Sequence, residues 1–187
     1  MSLIAGVKYE NNSFTGVNWS PRGSILYTPW SNNHFRFSVA RAYRTPSFFA
    51  DKAFLRPLLL PSMPAFNPLL VKGNDHLDPE KMTAFEFGYR TTLFNTIGLN
   101  VESYYNELDR IIDVGTPLKL WPFYFKIDNS YKAISKGVEV SITIPVTSWW
   151  MLRSNYTFQE MENKRKNEDV LGTPKHKISL ISRFTFE

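Results

Sequence analysis

"SVARAYRTPSF" (Ser38–Phe48) decides how this chain folds. Phe35, Phe37, Val39 and Tyr43 lead into and through it at every second position, a period of two that gathers one set of side chains on one face of a β-strand. Arg44-Thr45-Pro46 stops the run, because proline has no N–H to give to a ladder. Arg41 is the odd member, a charge in the apolar register. If the strand rises from a tight turn at Asn33, a spanning length of ~9 to 11 residues puts Arg41 and Tyr43 at an outer rim. An arginine costs ~0 to 1 kcal/mol there, against ~2 to 4 at the middle of a bilayer.

The same period recurs along the chain. It runs through Leu3 to Tyr9, Phe85 to Tyr89, Ile97 to Val101, Val138 to Ile144, Leu152 to Phe158 and Ile178 to Phe186, and no stretch shows a 3.6-residue repeat. The fold class is therefore all-β, an antiparallel up-and-down meander of about eight strands. Its connections alternate in length. Ser31 to Asn33, Asn95-Thr96 and Val146 to Ser148 are tight, whereas Asn11 to Gly16, Thr45 to Lys81, Gly115 to about Tyr124 and Glu160 to Thr173 are longer. A meander sends alternate connections to opposite ends, so one end is smooth and the other shaggy, as in an outer-membrane barrel with short periplasmic turns. Trp30, Trp149 and Trp150 flank the short turns, where an interfacial aromatic girdle would lie, although large aromatics also cover the open ends of soluble sandwiches.

Composition narrows the function. The net charge is +5, but the 22 basic residues are dispersed and only Lys164-Arg165-Lys166 forms a run. Nucleic acid would need a basic stripe on one face. With no cysteine there is no disulfide, thiol catalysis or iron–sulfur centre. His34, His76 and His176 stand far apart, with no nucleophile–base pattern near them. "GNDHLDPE" gathers Asp75, His76, Asp78 and Glu80, but calcium wants a denser ligand series, and loop capping is the stronger reading. Neither enzyme activity nor a cofactor nor a metal is expected.

The residues are similar to a known family. "NWSPRGSILYTPW", "FRFSVARAYRTPSF", "GNDHLDPEKMTAFEFGYR", "SYYNELDRIIDV", "SKGVEVS", "NYTFQ" and "GTPKHKISL" resemble, in order, the barrel of TonB-dependent outer-membrane receptors, from about Gly16 to Phe186. The resemblance implies a slice of a transmembrane β-barrel across residues 1–187, with the plug domain and remaining strands absent. It implies import of a scarce ligand, usually a ferric siderophore, in the outer membrane of a Gram-negative bacterium. Outer-membrane lipid and TonB, reached through the missing plug region, are the implied partners. In that setting Glu86, Arg90, Glu102 and Glu139 would face the lumen, while Phe85, Phe87, Val138, Val140 and Ile142 would face away. Gly137 would permit a bulge or a close approach.

The Thr45–Lys81 connection is too long and too apolar for a mere linker. Its Phe48, Phe49, Phe54 and Phe66 offer flat apolar surfaces, and Lys52, Arg56 and Lys72 would attract an anionic chelate such as a siderophore. These seven are the candidate ligand-binding residues, with Asn163 to Leu171 as a lesser contributor. The opposing reading makes the loop a cap with the phenylalanines as its core. Two other classes stay open: a stand-alone small outer-membrane barrel with a structural or adhesive role, and a soluble carbohydrate-binding β-sandwich.

Overall fold

A computed structural model describes residues 1–52, 54–55, 70–114, 119–120, 123–164, 168–169 and 174–186. Eight long strands form the meander: β1 (Ser2–Asn12), β2 (Gly16–Trp30), β3 (Asn33–Arg44), β6 (Glu80–Leu93), β7 (Ile97–Val114), β9 (Phe123–Pro145), β10 (Trp150–Asn163) and β12 (His176–Phe184). Each is antiparallel to the next in that order. Between β3 and β6 lie α1 (Phe48–Lys52), β4 (Phe54–Leu55) and β5 (Leu70–Lys72). β8 (Lys119–Leu120) pairs with the start of β9, and β11 (Glu168–Asp169) pairs with the end of β10. At the edges, β1 pairs only with β2 and β12 only with β10 among the described residues.

The connections sort to two ends as the sequence implies. Ser31-Asn32, Phe94 to Thr96 and Val146 to Trp149 lie at one end, where Asn32 Nδ2 donates to Asn95 Oδ1 across two turns at 3.3 Å. Phe94 and Asn95 both take positive φ, which tightens that hairpin. One expected length is corrected: the Asn11–Gly16 connection is a three-residue turn, Ser13 to Thr15, as short as those at the far end. Asn12 Oδ1 closes it by accepting from Phe14 N at 3.0 Å and Thr15 N at 2.8 Å. The long loop also carries one helical turn, α1, that no helical period foretells.

Register separates two faces. Val39, Phe85 and Tyr105 lie in one row and Phe37, Phe87, Ser103 and Val138 in the next, all on one face, the outward one. On the other face Arg36 Nη1 meets Glu86 Oε2, and Arg36 Nη2 meets Glu102 Oε2, both at 2.9 Å. Arg90, Asn100, Glu139 and Arg153 share that inward face. The seam at Gly137 is a close approach rather than a bulge: the Tyr104 ring lies over it, and the ladder shifts register higher up, between Leu108 and Ile112.

Outward charges draw a slanted line across the strands. From Lys81 on β6 it passes to Glu107 on β7, then to Lys136 on β9 and Glu160 on β10, about four residues lower over three strand steps. At ~3.4 Å per residue and ~4.8 Å per strand that is ~14 Å along for ~14 Å across, an inclination of about 45°. The tight turns descend the same way: Asn33 pairs with Thr91, but β6 continues to Leu93 before turning. Barrel strands tilt by ~35 to 45° for the same reason, a stagger built into closure. Below the line, β10 carries no outward charge from Trp150 to Phe158, ~31 Å of strand and ~22 Å of height at that tilt. Aromatics border this band. Trp149, Trp150, Phe184 and Phe186 stack in series at the turn end, and Tyr9 meets Trp19 edge-on at 4.9 Å towards the loop end.

Candidate functional site

β7 and β9 run 18 and 23 residues, well beyond the band, and their upper halves support the loop end. The loop base is packed. Ala50, Leu77 and Ile127 form a buried cluster, with Val71 and Ile112 against it, and Asn74 N donates to Ala50 O at 2.9 Å. Re-entry into β6 is clamped to a bulge in β7 where Arg110 takes a φ of 58°. Asn129 Nδ2 donates to Arg110 O at 2.7 Å and Asp78 O at 3.0 Å, while its Oδ1 accepts from Asp78 N at 2.9 Å. Glu80, nearly buried, accepts from Ile112 N at 2.8 Å and holds the Arg44 guanidinium with its other oxygen. That carboxylate raises the Arg44 pKa further above its ordinary value through the hydrogen bond, against the cost of burial.

Beside this clamp the inner wall changes character. Ala42, Met82 and Leu108 occupy one inward row, and with Tyr131 and Met161 they line an apolar basin of about 340 Å³ with Arg44 and Glu80 at its edge. Lower on the same wall stand Arg36, Glu86 and Glu102. The inner face is thus charged at its middle and apolar towards the loops. Outside, at the level of the slanted line, Asp109 sits between Lys81 Nζ at 3.1 Å and Lys132 Nζ at 3.2 Å. Burial works against ionisation of Asp109, but the two ammonium hydrogen bonds outweigh it and hold its pKa below the usual aspartate value.

The sequence-derived candidates are scattered by comparison. Phe48 and Phe49, on α1, are 72% and 54% exposed, so neither belongs to the loop's core. Lys52 is exposed, 3.4 Å from Asp51. Phe54 pairs with Lys72 across β4 and β5, and the Lys72 side chain is exposed. Arg56 and Phe66 lie outside the described residues, as does most of 163–171. The acidic candidates point apart: Asp75 lies 3.6 Å from His76 in an exposed turn, Asp78 faces Arg110 at 3.7 Å, and Glu80 serves the clamp. Among the described residues no three His, Asp or Glu side chains gather. Sequence reading passed over the basin, whose signal is Met82, Leu108 and Met161 standing in an otherwise polar register.

Comparison with known proteins agrees with the geometry. The family model described as TonB dependent receptor-like, beta-barrel, matches residues 1–187. The ferrienterobactin receptor of Escherichia coli K12 is 25% identical over 190 residues, covering 95% of this chain and 24% of its own length. A ferric enterobactin receptor of Pseudomonas aeruginosa is 23% identical over 194 residues, covering 95% and 25%. The chain thus spans about a quarter of the length of these relatives. Among solved structures, a mutant P. aeruginosa ferric enterobactin receptor in complex with enterobactin superposes with a TM-score of 0.82 at 19% identity, over 97% of this chain and 28% of that one. The siderophore receptor PirA of Acinetobacter baumannii gives 0.82 at 19%, over 99% and 29%.

Proposed function

Since this chain belongs to the TonB-dependent receptor β-barrel family, we propose that it is a stretch of barrel wall in the outer membrane of a Gram-negative bacterium, in a receptor that imports a ferric siderophore. The observation that carries the reading is the apolar basin towards the loop end of the inner wall, with Arg44 and Glu80 at its edge. The apolar parts of a ferric chelate match these walls, and the Arg44 guanidinium, paired with Glu80 through Nε, has further N–H donors to offer an anionic edge. The loop's Phe48, Phe49, Phe54, Phe66, Lys52, Arg56 and Lys72 would form the outer part of the same vestibule. Below it, the charged inner wall would meet the plug region that engages TonB, and the uncharged outward band would meet lipid. The names of the relatives support a siderophore as ligand.

Two measurements on the whole receptor test this. Binding of iron-59-loaded enterobactin, the ligand named for the relatives, is expected to weaken at least tenfold in the double variant Met82→Glu, Met161→Glu, and severalfold in Phe48→Ser, Phe49→Ser. Barrel assembly, followed by heat-modifiable gel mobility, should survive in both. Unchanged binding by assembled barrels of both variants would refute the vestibule. Spin labels at Phe87 and Val140 are expected to respond to a lipid-soluble quencher, and labels at Glu86 and Glu139 to a water-soluble one. Equal response from the two sets would remove the membrane reading.

A further inference from the structure

The outward face is not a smooth apolar band. Gly23, Val39, Phe85 and Tyr105 lie in one row across the strands, and Leu3, Ile25, Phe37, Phe87 and Ser103 in the next. Gly23 and Ser103 are the small members, and between the large ones the surface sinks into an open trough of about 610 Å³. A second depression of about 190 Å³ shares Gly23 and Val39 with it and ends at Arg41. The trough thus leads from the middle of the band to a cation in its upper part, one outward position below the Tyr43–Lys81 pair.

Arg41 differs from its charged neighbours. Lys81 is held by Asp109, Lys136 by Glu160 and Arg44 by Glu80, whereas no ion pair of Arg41 occurs among the described residues. A cation in the apolar register of a strand, above an apolar groove, matches a ligand with a hydrocarbon tail below a negative head.

We infer that the trough over Gly23 and Val39 seats one acyl chain of a phosphate-bearing lipid from the loop-side leaflet, with its phosphate on Arg41. The inference rests on the membrane reading above. It also accounts for Gly23, where an added Cβ would meet only Ile4 O at 3.9 Å. The position has room for a side chain, so backbone packing does not explain why it lacks one.

The test uses the whole receptor in nanodiscs of phosphatidylcholine containing a tenth of lipid A, with retained lipid counted by native mass spectrometry after transfer to detergent. Gly23→Leu fills the trough and Arg41→Gln removes the head-group cation. Each is expected to lower lipid A retention about tenfold, while Lys136→Gln on the same face changes it less than twofold. Loss with Arg41→Gln but full retention with Gly23→Leu would reduce the site to a surface charge and overturn the seated chain. Retention unchanged in both would overturn the inference altogether, as would receptor dimers abolished by Gly23→Leu, which would make the trough a protein contact. The quencher experiment separates these failures from that of the membrane reading: labels at Phe87 and Val140 report lipid contact whether or not the trough is filled.

Discussion

Gly137→Val is expected to keep the whole receptor from assembling a stable barrel. A Cβ at Gly137 would lie 2.6 Å from Phe158 O on β10 and 2.7 Å from the Tyr104 ring on β7, so it strikes a neighbouring strand's backbone and a covering side chain at once. The carbonyl is fixed by the β9–β10 ladder and has nowhere to go. Overpacking typically costs ~1 to 3 kcal/mol, and a β-branched residue caught between two ladders belongs at the top of that range or beyond. Gly88 provides a graded control. Its Cβ would meet the Glu102 carboxylate at 2.5 Å, the movable end of a side chain that Arg36 restrains, so Gly88→Ala should cost about 1 kcal/mol. Gly98 meets nothing nearer than 3.7 Å, and Gly98→Ala should be close to neutral. Urea unfolding in micelles, read by gel mobility, should rank the three in that order. A Gly137→Val receptor as resistant as Gly98→Ala would show that β9 and β10 do not approach this closely.

The second large effect is expected at Glu80. Alanine there removes the acceptor of Ile112 N–H and the partner of Arg44 together. A buried donor left without an acceptor costs ~1 to 3 kcal/mol. The loss should be local, because the clamp sits at the upper end of the β3–β6 and β6–β7 ladders, past the bulge that interrupts β7–β9 pairing. Amide exchange at Ile112 is expected to accelerate on the order of tenfold to a hundredfold in Glu80→Ala, consistent with that cost. Glu80→Gln keeps a carbonyl oxygen for Ile112 and should exchange at nearly the native rate, although its hold on Arg44 is weaker. If alanine and glutamine accelerate exchange equally, Arg44 rather than the bulge amide holds the loop base. Unchanged exchange in both would mean that the clamp carries no local stability.

Much of this architecture was legible because period-two patterning reports directly on a face. Phe35 to Tyr43, Phe85 to Tyr89 and Val138 to Ile144 each name their own outward row, and the connection lengths supply the topology. β2 is harder to read, since Pro21 and Pro29 interrupt it. The structure accommodates both: Pro21 precedes the first β2–β3 pair at Arg22, and Pro29 falls in the irregularity where the register shifts between Tyr27 and Trp30. The first half of β9, Phe123 to Lys136, has no alternation to detect. It is extended because β7 lines one side, β10 joins the other and β5 runs parallel to its start, a tertiary decision invisible in local sequence. The site shows the same divide. Loop length flagged the loop-end region, and aromatic content picked out Phe48 and Phe49, but the basin depends on three inward apolar residues brought level by strand stagger. A bulge at Arg110 and a clamp at Asn129 could not be foreseen from composition either, because their partners are 19 and 51 residues away.

Every long ladder in this sheet joins strands adjacent in the meander, so bringing partners together closes mostly short loops and loses little chain entropy. Growth can therefore proceed hairpin by hairpin, each completed strand presenting its outer N–H and C=O groups as the template for the next. In water such an edge is solvated and the intermediate survives. In hydrocarbon every unpaired group costs several kcal/mol, so a sheet whose β1 and β12 edges have no partner among the described residues is a poor resident of a bilayer however well its interior ladders are made. Cooperativity in a barrel of this kind is thus supplied late, by the seam that closes the wall, rather than by an early nucleus. A substitution that merely slows closure would lengthen the time the open edges spend exposed, and would show itself as degradation or aggregation before any defect in the finished wall could be measured.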